Sequence, residues 1–274
     1  MGDAYFDLNI KKYSIAHFLR KKNDNTNFIT LAWPGGSSIS HLKLFNMMNE
    51  QFFFKRTKEY PNKIIYLFSE ENDFTDDYND KYLNINTYAF TNKEYLKQIF
   101  PIFYYAYRLI KNLNTKKKKT IIVKNKIIFK EKEIDVSGSA RISVPEVYNG
   151  DLTKSLLIIK DNLRNFKNKV NDITFVYIPS VATINKMKDP IISLSFRYGK
   201  EIKISNDDMD LYNLFVTAEL EKICKNLNIN FINLTNELRN RAKQELIHGP
   251  NDWTHFNIKG HKYIAELIDS NILK

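Results

Sequence analysis

The chain has 274 residues, of which 43% are hydrophobic, so wholesale disorder is excluded and the length allows one large α/β domain or two small ones. The formal charge of +11 at pH 7 indicates either an acidic partner, such as nucleic acid, an anionic glycan or a membrane surface, or lysines spread over solvated faces. Residues 116–119 form the one tight lysine run, and no nucleic-acid readout motif accompanies it. The second interpretation is therefore preferred, with no nucleic-acid partner.

Taken in chain order, the predicted elements alternate between strand and helix. Runs rich in β-branched and aromatic residues predict strands at 27–33, 63–68, 173–178 and 229–234. A closing helix is predicted over 258–272, and three earlier stripes at helical spacing consist of Leu42, Phe45, Met48 and Phe52; Leu156, Ile159, Leu163 and Phe166; and Leu211, Leu214, Phe215 and Ala218. This alternation predicts parallel β-α-β units in a three-layer α/β/α domain spanning residues 1–274.

Two regions, about 75–150 and 185–205, interrupt this alternation and are predicted to be insertions. Apolar runs within 120–144 predict a β-hairpin with its turn at 124–126, and 191–204 predict a second hairpin with its turn at 198–200. The longest apolar stretch, 99–110, falls short of the roughly twenty residues that a bilayer span needs. The single cysteine, Cys224, excludes a disulfide framework and is expected to be a small core residue.

The most informative motif is Asp252-Trp253-Thr254-His255, just ahead of the closing helix. Imidazole titrates near neutral pH, so His255 can accept and return a proton. Asp252 can accept the other ring N–H of His255 and so hold the tautomer that a base needs. An Asp-x-x-His pair alone is a weak signal, because a histidine is more often structural. Its weight comes from three earlier segments.

Those segments are Gly2-Asp3-Ala4 at the start, residues 34–37 (Pro-Gly-Gly-Ser) after the first predicted strand, and residues 71–74 (Glu-Asn-Asp-Phe) after the second. Ligands of open α/β sheets lie beyond the carboxyl ends of the strands, so these segments and His255 are expected to converge there. Gly35 allows close approach of a backbone N–H, although Gly36 could serve instead. Asn72 carries a side-chain N–H donor, although asparagine is also common in turns after strands.

In this order the four segments resemble the sequence blocks of the SGNH (GDSL) hydrolase family. The resemblance implies a flavodoxin-like sheet and a serine nucleophile in the Gly-Asp-Ser block. It also implies an oxyanion hole that uses Gly35 and Asn72, with His255 and Asp252 as base and orienting acid. Residues 256–261 resemble the end of the family's final block, in which a residue such as asparagine and a glycine open the last helix. His261, inside that helix, is expected to support the site or to lie at the surface. No metal or organic cofactor is implied.

The sequence departs from the family pattern at two places. Ala4 stands where the nucleophilic serine is expected, so this chain should be inactive, through either an engineered replacement or a natural pseudoenzyme. Retention of the acid and base favours the first, and Ser37 and Ser38 are poor substitute nucleophiles. Only Met1 precedes Gly2, where the family has its first strand, so we expect a truncated chain or a differently built sheet. No secretory signal is visible, and localisation and membrane association stay open.

The expected activity of the form with serine at position 4 is cleavage of an O-acyl ester, with acetyl as the expected acyl group, on a small molecule or a glycan. Aromatic residues within 82–107 could line a sugar-binding cleft, although ordinary core packing is the preferred explanation for any one of them. A carbohydrate O-acetyltransferase would use the same machinery, and a non-catalytic glycan-binding protein would use the same pocket. The oligomeric state is left open.

Overall fold

The computed structural model describes residues 13–26, 28–31, 41–42, 45–46, 61–70, 73–74, 124–136, 152–195, 201–250 and 252–273. The strands are β1 (Lys63–Ser69), β2 (Lys126–Phe129), β3 (Lys132–Asp135), β4 (Asp172–Ile178), β5 (Ile191–Ser195), β6 (Glu201–Ser205) and β7 (Asn230–Asn233). The helices are α1 (Ile15–Lys22), α2 (Leu152–Lys167), α3 (Val181–Ile184), α4 (Asn206–Asn226), α5 (Thr235–Gln244) and α6 (Ile258–Ile268), and a π-helical turn, Asp269–Leu273, follows α6.

A parallel three-stranded sheet in the order β1-β4-β7 forms the centre of the described structure. The central strand β4 is buried at every position after Asp172, as its nearly continuous apolar sequence predicts. Three of the predicted strands and the α/β class are thereby confirmed.

Helices cover both faces of this sheet, because alternate strand residues point into two different cores. On one face Tyr66, Phe68 and Phe175 pack with the buried residues of α2 and α4. On the other, Val176 and Ile178 pack with buried residues of α1, α5 and α6. The fully buried aromatic side chains thus lie in the first core, among aliphatic residues, and the buried residues of the second core are aliphatic.

The predicted strand at 27–33 is wrong where it can be compared. Residues 28–31 have no strand pairing, and residues 27, 32 and 33 lie outside the described residues. The Arg20 guanidinium donates to the Phe28 carbonyl oxygen at 2.8 and 3.1 Å and to Thr30 Oγ1 at 3.1 Å. A side chain of α1 therefore uses an acceptor that a sheet ladder would need.

The first hairpin is present, but its turn lies later along the chain than predicted. β2 and β3 are antiparallel and join at Lys130 and Glu131, which have φ values of 47° and 65°, as a tight hairpin turn requires. Residue 125 instead belongs to the ladder: Val136 N donates to the Asn125 carbonyl oxygen at 2.9 Å. The remainder of the predicted insertion at 75–150 lies outside the described residues.

The second hairpin is confirmed, since β5 and β6 pair in antiparallel register from Ile191 opposite Ser205 to Ser195 opposite Glu201. Its predicted turn at 198–200 lies outside the described residues. The Asn125 side chain joins the two hairpins, because it donates to the Ser193 carbonyl oxygen at 2.7 Å and accepts from Ser193 N at 3.0 Å.

Two predicted helices meet the core differently. In α2 the whole stripe of Leu156, Ile159, Leu163 and Phe166 is buried, as expected. In α4 the predicted stripe is on the wrong face: Leu211, Leu214 and Phe215 are 64%, 65% and 52% exposed. The core-facing residues of α4 are Met209, Tyr212, Asn213, Val216, Thr217, Leu220, Ile223 and Cys224. The interior face of α4 admits polar side chains, so apolar spacing alone misidentified it.

Three further predictions can be compared with the structure. Cys224 is fully buried in α4, as expected. The closing helix α6 begins at Ile258 as predicted and ends at Ile268. Of the first helical stripe, Leu42 and Phe45 are helical, and Met48 and Phe52 lie outside the described residues. Within the described ranges no helix has the length and apolar character to cross a bilayer.

Candidate functional site

The predicted acid and base are in direct contact. His255 Nδ1 lies 2.6 Å from Asp252 Oδ2, and the other carboxylate oxygen, Oδ1, accepts from Thr254 N at 2.9 Å. Asp252 is mostly enclosed, with 17% of its side chain exposed, whereas 44% of the His255 side chain is exposed. The pair thus has a sheltered acid and a ring that solvent or a substrate can reach.

The surroundings of Asp252 keep its carboxyl ionised. Burial disfavours the charge, but the hydrogen bond and charge of His255 and the N–H groups of Thr254 and His255 outweigh it, and the pKa of Asp252 falls below its ordinary value. An ionised carboxylate can only accept, so the proton of the neutral His255 ring is on Nδ1. Nε2 then presents the lone pair that a general base needs.

The pair lies toward the carboxyl ends of the parallel strands. The far end of the chain is fixed at their amino ends, because Lys63 Nζ, at the start of β1, donates to the Ile272 carbonyl oxygen at 3.2 Å. Between these points α6 packs along the sheet through Ile264 and Ile268. The helix therefore runs antiparallel to the strands, and its first turn, next to His255, lies on the carboxyl side. The sequence analysis expects the candidate site at this edge, and convergence of the predicted residues there stays a prediction.

Asn257 holds the loop that carries the pair. Its side-chain Oδ1 accepts from Gly260 N at 3.0 Å and caps α6. Its Nδ2 donates to three carbonyl oxygens, those of Leu246, His248 and Gly249, at 3.0–3.2 Å. One asparagine thus ties both ends of the loop together, and it occupies the position at which the sequence predicted a helix-opening residue.

Asn257→Ala is therefore expected to lower the free energy of unfolding by about 2–4 kcal/mol, since it removes a helix cap and several partly buried hydrogen bonds. Chemical denaturation measures the change. Asn257→Asp should also destabilise the protein: it keeps the cap acceptor, but it sets a carboxylate oxygen against the three carbonyl oxygens to which Nδ2 donates. Asn236→Ala, at an exposed position of α5, should change stability by less than about 0.5 kcal/mol. A loss below about 1 kcal/mol in Asn257→Ala would show that the loop is held by other contacts.

Close packing around two glycines shapes the same loop. Gly249 has φ +61°, and a Cβ there would come within 2.6–2.8 Å of the Trp253 ring. A Cβ at Gly260 would overlap the Ile247 carbonyl oxygen. Neighbouring atoms approach both positions so closely that only glycine fits without a shift. This explains why a glycine stands at the start of the last helix, as the sequence analysis expected.

The other three predicted site residues, Ala4, Gly35 and Asn72, lie outside the described residues. Two described residues near Asn72 in sequence are anchored at the carboxyl end of β1. Glu70 N donates to the Ile178 carbonyl oxygen at 2.9 Å, and the Asp73 carboxylate accepts from Ser69 N at 2.7 Å.

The sequence analysis missed a buried polar cluster at this edge. The Glu70 side chain is fully buried, and its Oε2 accepts from Ser180 N and Thr183 Oγ1, each at 2.6 Å. Asn213 Nδ2 lies 3.5 Å from Glu70 Oε1 and donates to Tyr177 Oη at 3.0 Å. Burial and the Glu70 charge hold the pKa of Tyr177 well above its ordinary value. The cluster joins the ends of β1 and β4 to α3 and α4. The one sequence signal was the position of Glu70 directly after an apolar run, and it did not identify the partners of Glu70.

Two buried histidines beside the pair were also missed or misplaced. His248 is 2% exposed and its ring lies 4.1 Å from that of Phe256, centroid to centroid. His261 is 8% exposed, so the expectation that it could lie at the surface is wrong. Neither His248 Nδ1 nor either ring nitrogen of His261 has a hydrogen-bond partner within the described structure. Burial lowers the pKa of each ring to about 3, so both are neutral at pH 7.

Within the described ranges, no group of three or more His, Cys, Asp or Glu side chains is arranged to hold a metal ion. Comparison with known proteins finds no matching family model, no matching curated protein and no matching solved structure.

Proposed function

We propose that the fold carries an SGNH-type serine esterase site, competent when serine occupies position 4, that cleaves O-acyl esters. The 2.6 Å contact between His255 Nδ1 and Asp252 is the observation that carries the proposal. It supplies an oriented imidazole on an accessible loop, and orientation by a mostly enclosed carboxylate is what separates a general base from an ordinary surface histidine.

The architecture supports this proposal. In the finer form proposed, the three described parallel strands belong to a larger flavodoxin-like sheet between two helical layers. Glu70 and Asp73, which flank Asn72, and the loop of His255 lie on the carboxyl side of those strands, where ligands of such sheets bind. Gly35 and position 4 are proposed to reach the same edge.

In the proposed reaction, His255 Nε2 takes the hydroxyl proton of the serine introduced at position 4 as the serine Oγ attacks the ester carbonyl carbon. The N–H of residue 4, the Gly35 N–H and the Asn72 side chain donate to the resulting oxyanion. Collapse expels the alcohol, which takes the proton from His255, and leaves an acyl-serine. Water then attacks the acyl group, His255 again accepting and returning the proton. Ala4 lacks the Oγ, so the present chain cannot form the covalent intermediate.

The present chain itself favours a second function, which is binding without chemistry. Alanine at position 4 keeps the backbone N–H and frees the space of one oxygen, so an acylated small molecule or glycan could be held intact. Transfer of the acyl group to a sugar hydroxyl, in place of water, would need no different residue among those named.

Covalent labelling with a fluorophosphonate probe tests the proposal, with intact mass and peptide mapping on the present chain and on Ala4→Ser. We expect labelling of Ala4→Ser alone, at residue 4. His255→Gln in the Ala4→Ser protein should suppress it, whereas His17→Gln in the same background is the matched control. If Ala4→Ser stays folded and unlabelled, the esterase proposal is wrong, and retained binding of an acylated glycan would favour the binding protein.

A further inference from the structure

The outward face of α4 is apolar in its middle. Leu211, Leu214 and Phe215 are each more than half exposed, and Ala218 continues the same stripe. Leu157 of α2, 55% exposed, lies across a groove of about 270 Å³ that Phe215 also lines. Isolated exposed apolar residues are ordinary, but a contiguous stripe over two helical turns marks a contact surface.

The two ends of the same face carry opposite charges. Asp207 and Asp208 are exposed in the first turn of α4, and Lys222 and Lys225 are exposed near its end, where Lys222 Nζ pairs with Glu219 at 3.4 Å. Asp207 lies four residues before Leu211 and Lys225 lies seven residues after Ala218, so helical spacing places both on the apolar stripe. Within the described structure neither forms an ion pair. We call residues 207, 211, 214, 215, 218, 222 and 225 the α4 face.

This distribution is self-complementary when the helix direction is reversed. The residue midway between Asp207 and Lys225 is Val216, and the apolar stripe from Leu211 to Ala218 brackets it. A two-fold axis at the level of Val216 would put the acidic end of one helix against the basic end of the other and set Leu214 of each copy level with Ala218 of the other, with Leu211 level with Glu221. A parallel arrangement would instead set aspartate against aspartate and lysine against lysine.

We propose that the α4 face binds the α4 face of a second copy of this chain, with the two helices antiparallel. The groove between α2 and α4, with Leu156, Leu157 and Ile223 in its lining, then receives apolar side chains from the second copy. Burial of the apolar stripe drives association, and the charged ends set the antiparallel register. This inference is independent of the esterase proposal.

Sedimentation velocity and light scattering on the full chain over a range of concentrations test the proposal. We expect a species of twice the 32.4 kDa chain mass. Leu214→Lys, at an exposed position, should abolish it at micromolar concentration with the circular dichroism unchanged. Asp207→Lys alone and Lys225→Asp alone should each weaken association by about tenfold, because each places like charges together at two symmetric sites.

The double variant Asp207→Lys/Lys225→Asp should recover dimerisation, since the reversed charges are again complementary in an antiparallel pair. Lys243→Asp, an exposed change of the same charge on α5, is the matched control and should have no effect. The proposal is overturned if the chain is monomeric at every concentration. A lowered melting temperature of Leu214→Lys in such a monomer would show that the stripe contacts other parts of the same molecule. Failure of the double variant to recover association also overturns the proposal.

Discussion

Asp252→Asn in the Ala4→Ser protein is expected to lower kcat by about 1000-fold or more, with KM for an acetyl ester changed little. Asparagine preserves the size of the side chain, but its amide can donate to Nδ1 and stabilise the tautomer in which Nε2 carries the proton. That ring cannot accept the proton of the nucleophile. In serine proteases an equivalent change costs about 10⁴-fold in kcat. Stopped or continuous hydrolysis of a chromogenic ester measures the change.

The control for Asp252→Asn is a second i, i+3 pair with the same change. Asp161 contacts Arg164 at 2.9 Å on the exposed face of α2, with 65% of the Asp161 side chain exposed. Asp161→Asn should leave kcat and KM unchanged within about twofold, since surface pairs contribute little. If Asp252→Asn is folded, is labelled and keeps its kcat, another group orients His255. That result would not affect the proposal of a serine nucleophile.

A fall in pH from 7.5 to 5.0 is expected to remove about 4 kcal/mol of folding free energy through His248 and His261. Burial lowers the pKa of each to about 3, against an unfolded value of about 6.5. Below pH 6.5 the unfolded chain therefore binds protons that the folded chain excludes. Stability is complete above pH 6.5 and declines as the pH falls toward 3, by about 2 kcal/mol for each ring at pH 5.

Urea denaturation at several pH values, with the Ala4 chain, measures this slope. His261→Leu should reduce the decline between pH 7.5 and 5.0 by about half, because one buried proton-binding group is removed. His17→Gln, on α1, replaces a partly buried histidine and is the matched control. An equally steep decline in His261→Leu would assign the acid sensitivity to other groups, such as the carboxylates.

The success of sequence prediction here depended on how local each interaction is. Asp252 and His255 could be paired because three residues separate them, and β4 could be recognised because both its faces are apolar. The Glu70 cluster could not be predicted, since its partners Ser180 and Asn213 lie 110 and 143 residues away along the chain. No repeating pattern in the sequence indicates a contact between residues so far apart along the chain.

The errors arise where a polar contact overrides an apolar pattern. Residues 28–31 have strand composition, but Arg20 donates to the Phe28 carbonyl oxygen, an acceptor that strand pairing would use. In α4 the interior face includes Asn213 and Thr217, and the exterior includes Leu214 and Phe215. The hydrophobic stripe identified the helix correctly but assigned the wrong side of it to the core. An apolar face that meets another molecule resembles one that meets the core.

Modification of the single cysteine can measure how often the native protein opens. Cys224 lies against the sheet on the inner face of α4, and burial raises the pKa of its thiol to about 12. Alkylating reagents attack the thiolate, so at neutral pH they react with Cys224 only after α4 has left the sheet. Each modified molecule therefore marks one such opening. With no second thiol in the chain, mass spectrometry over time would read the lifetime of the closed protein without introducing any label.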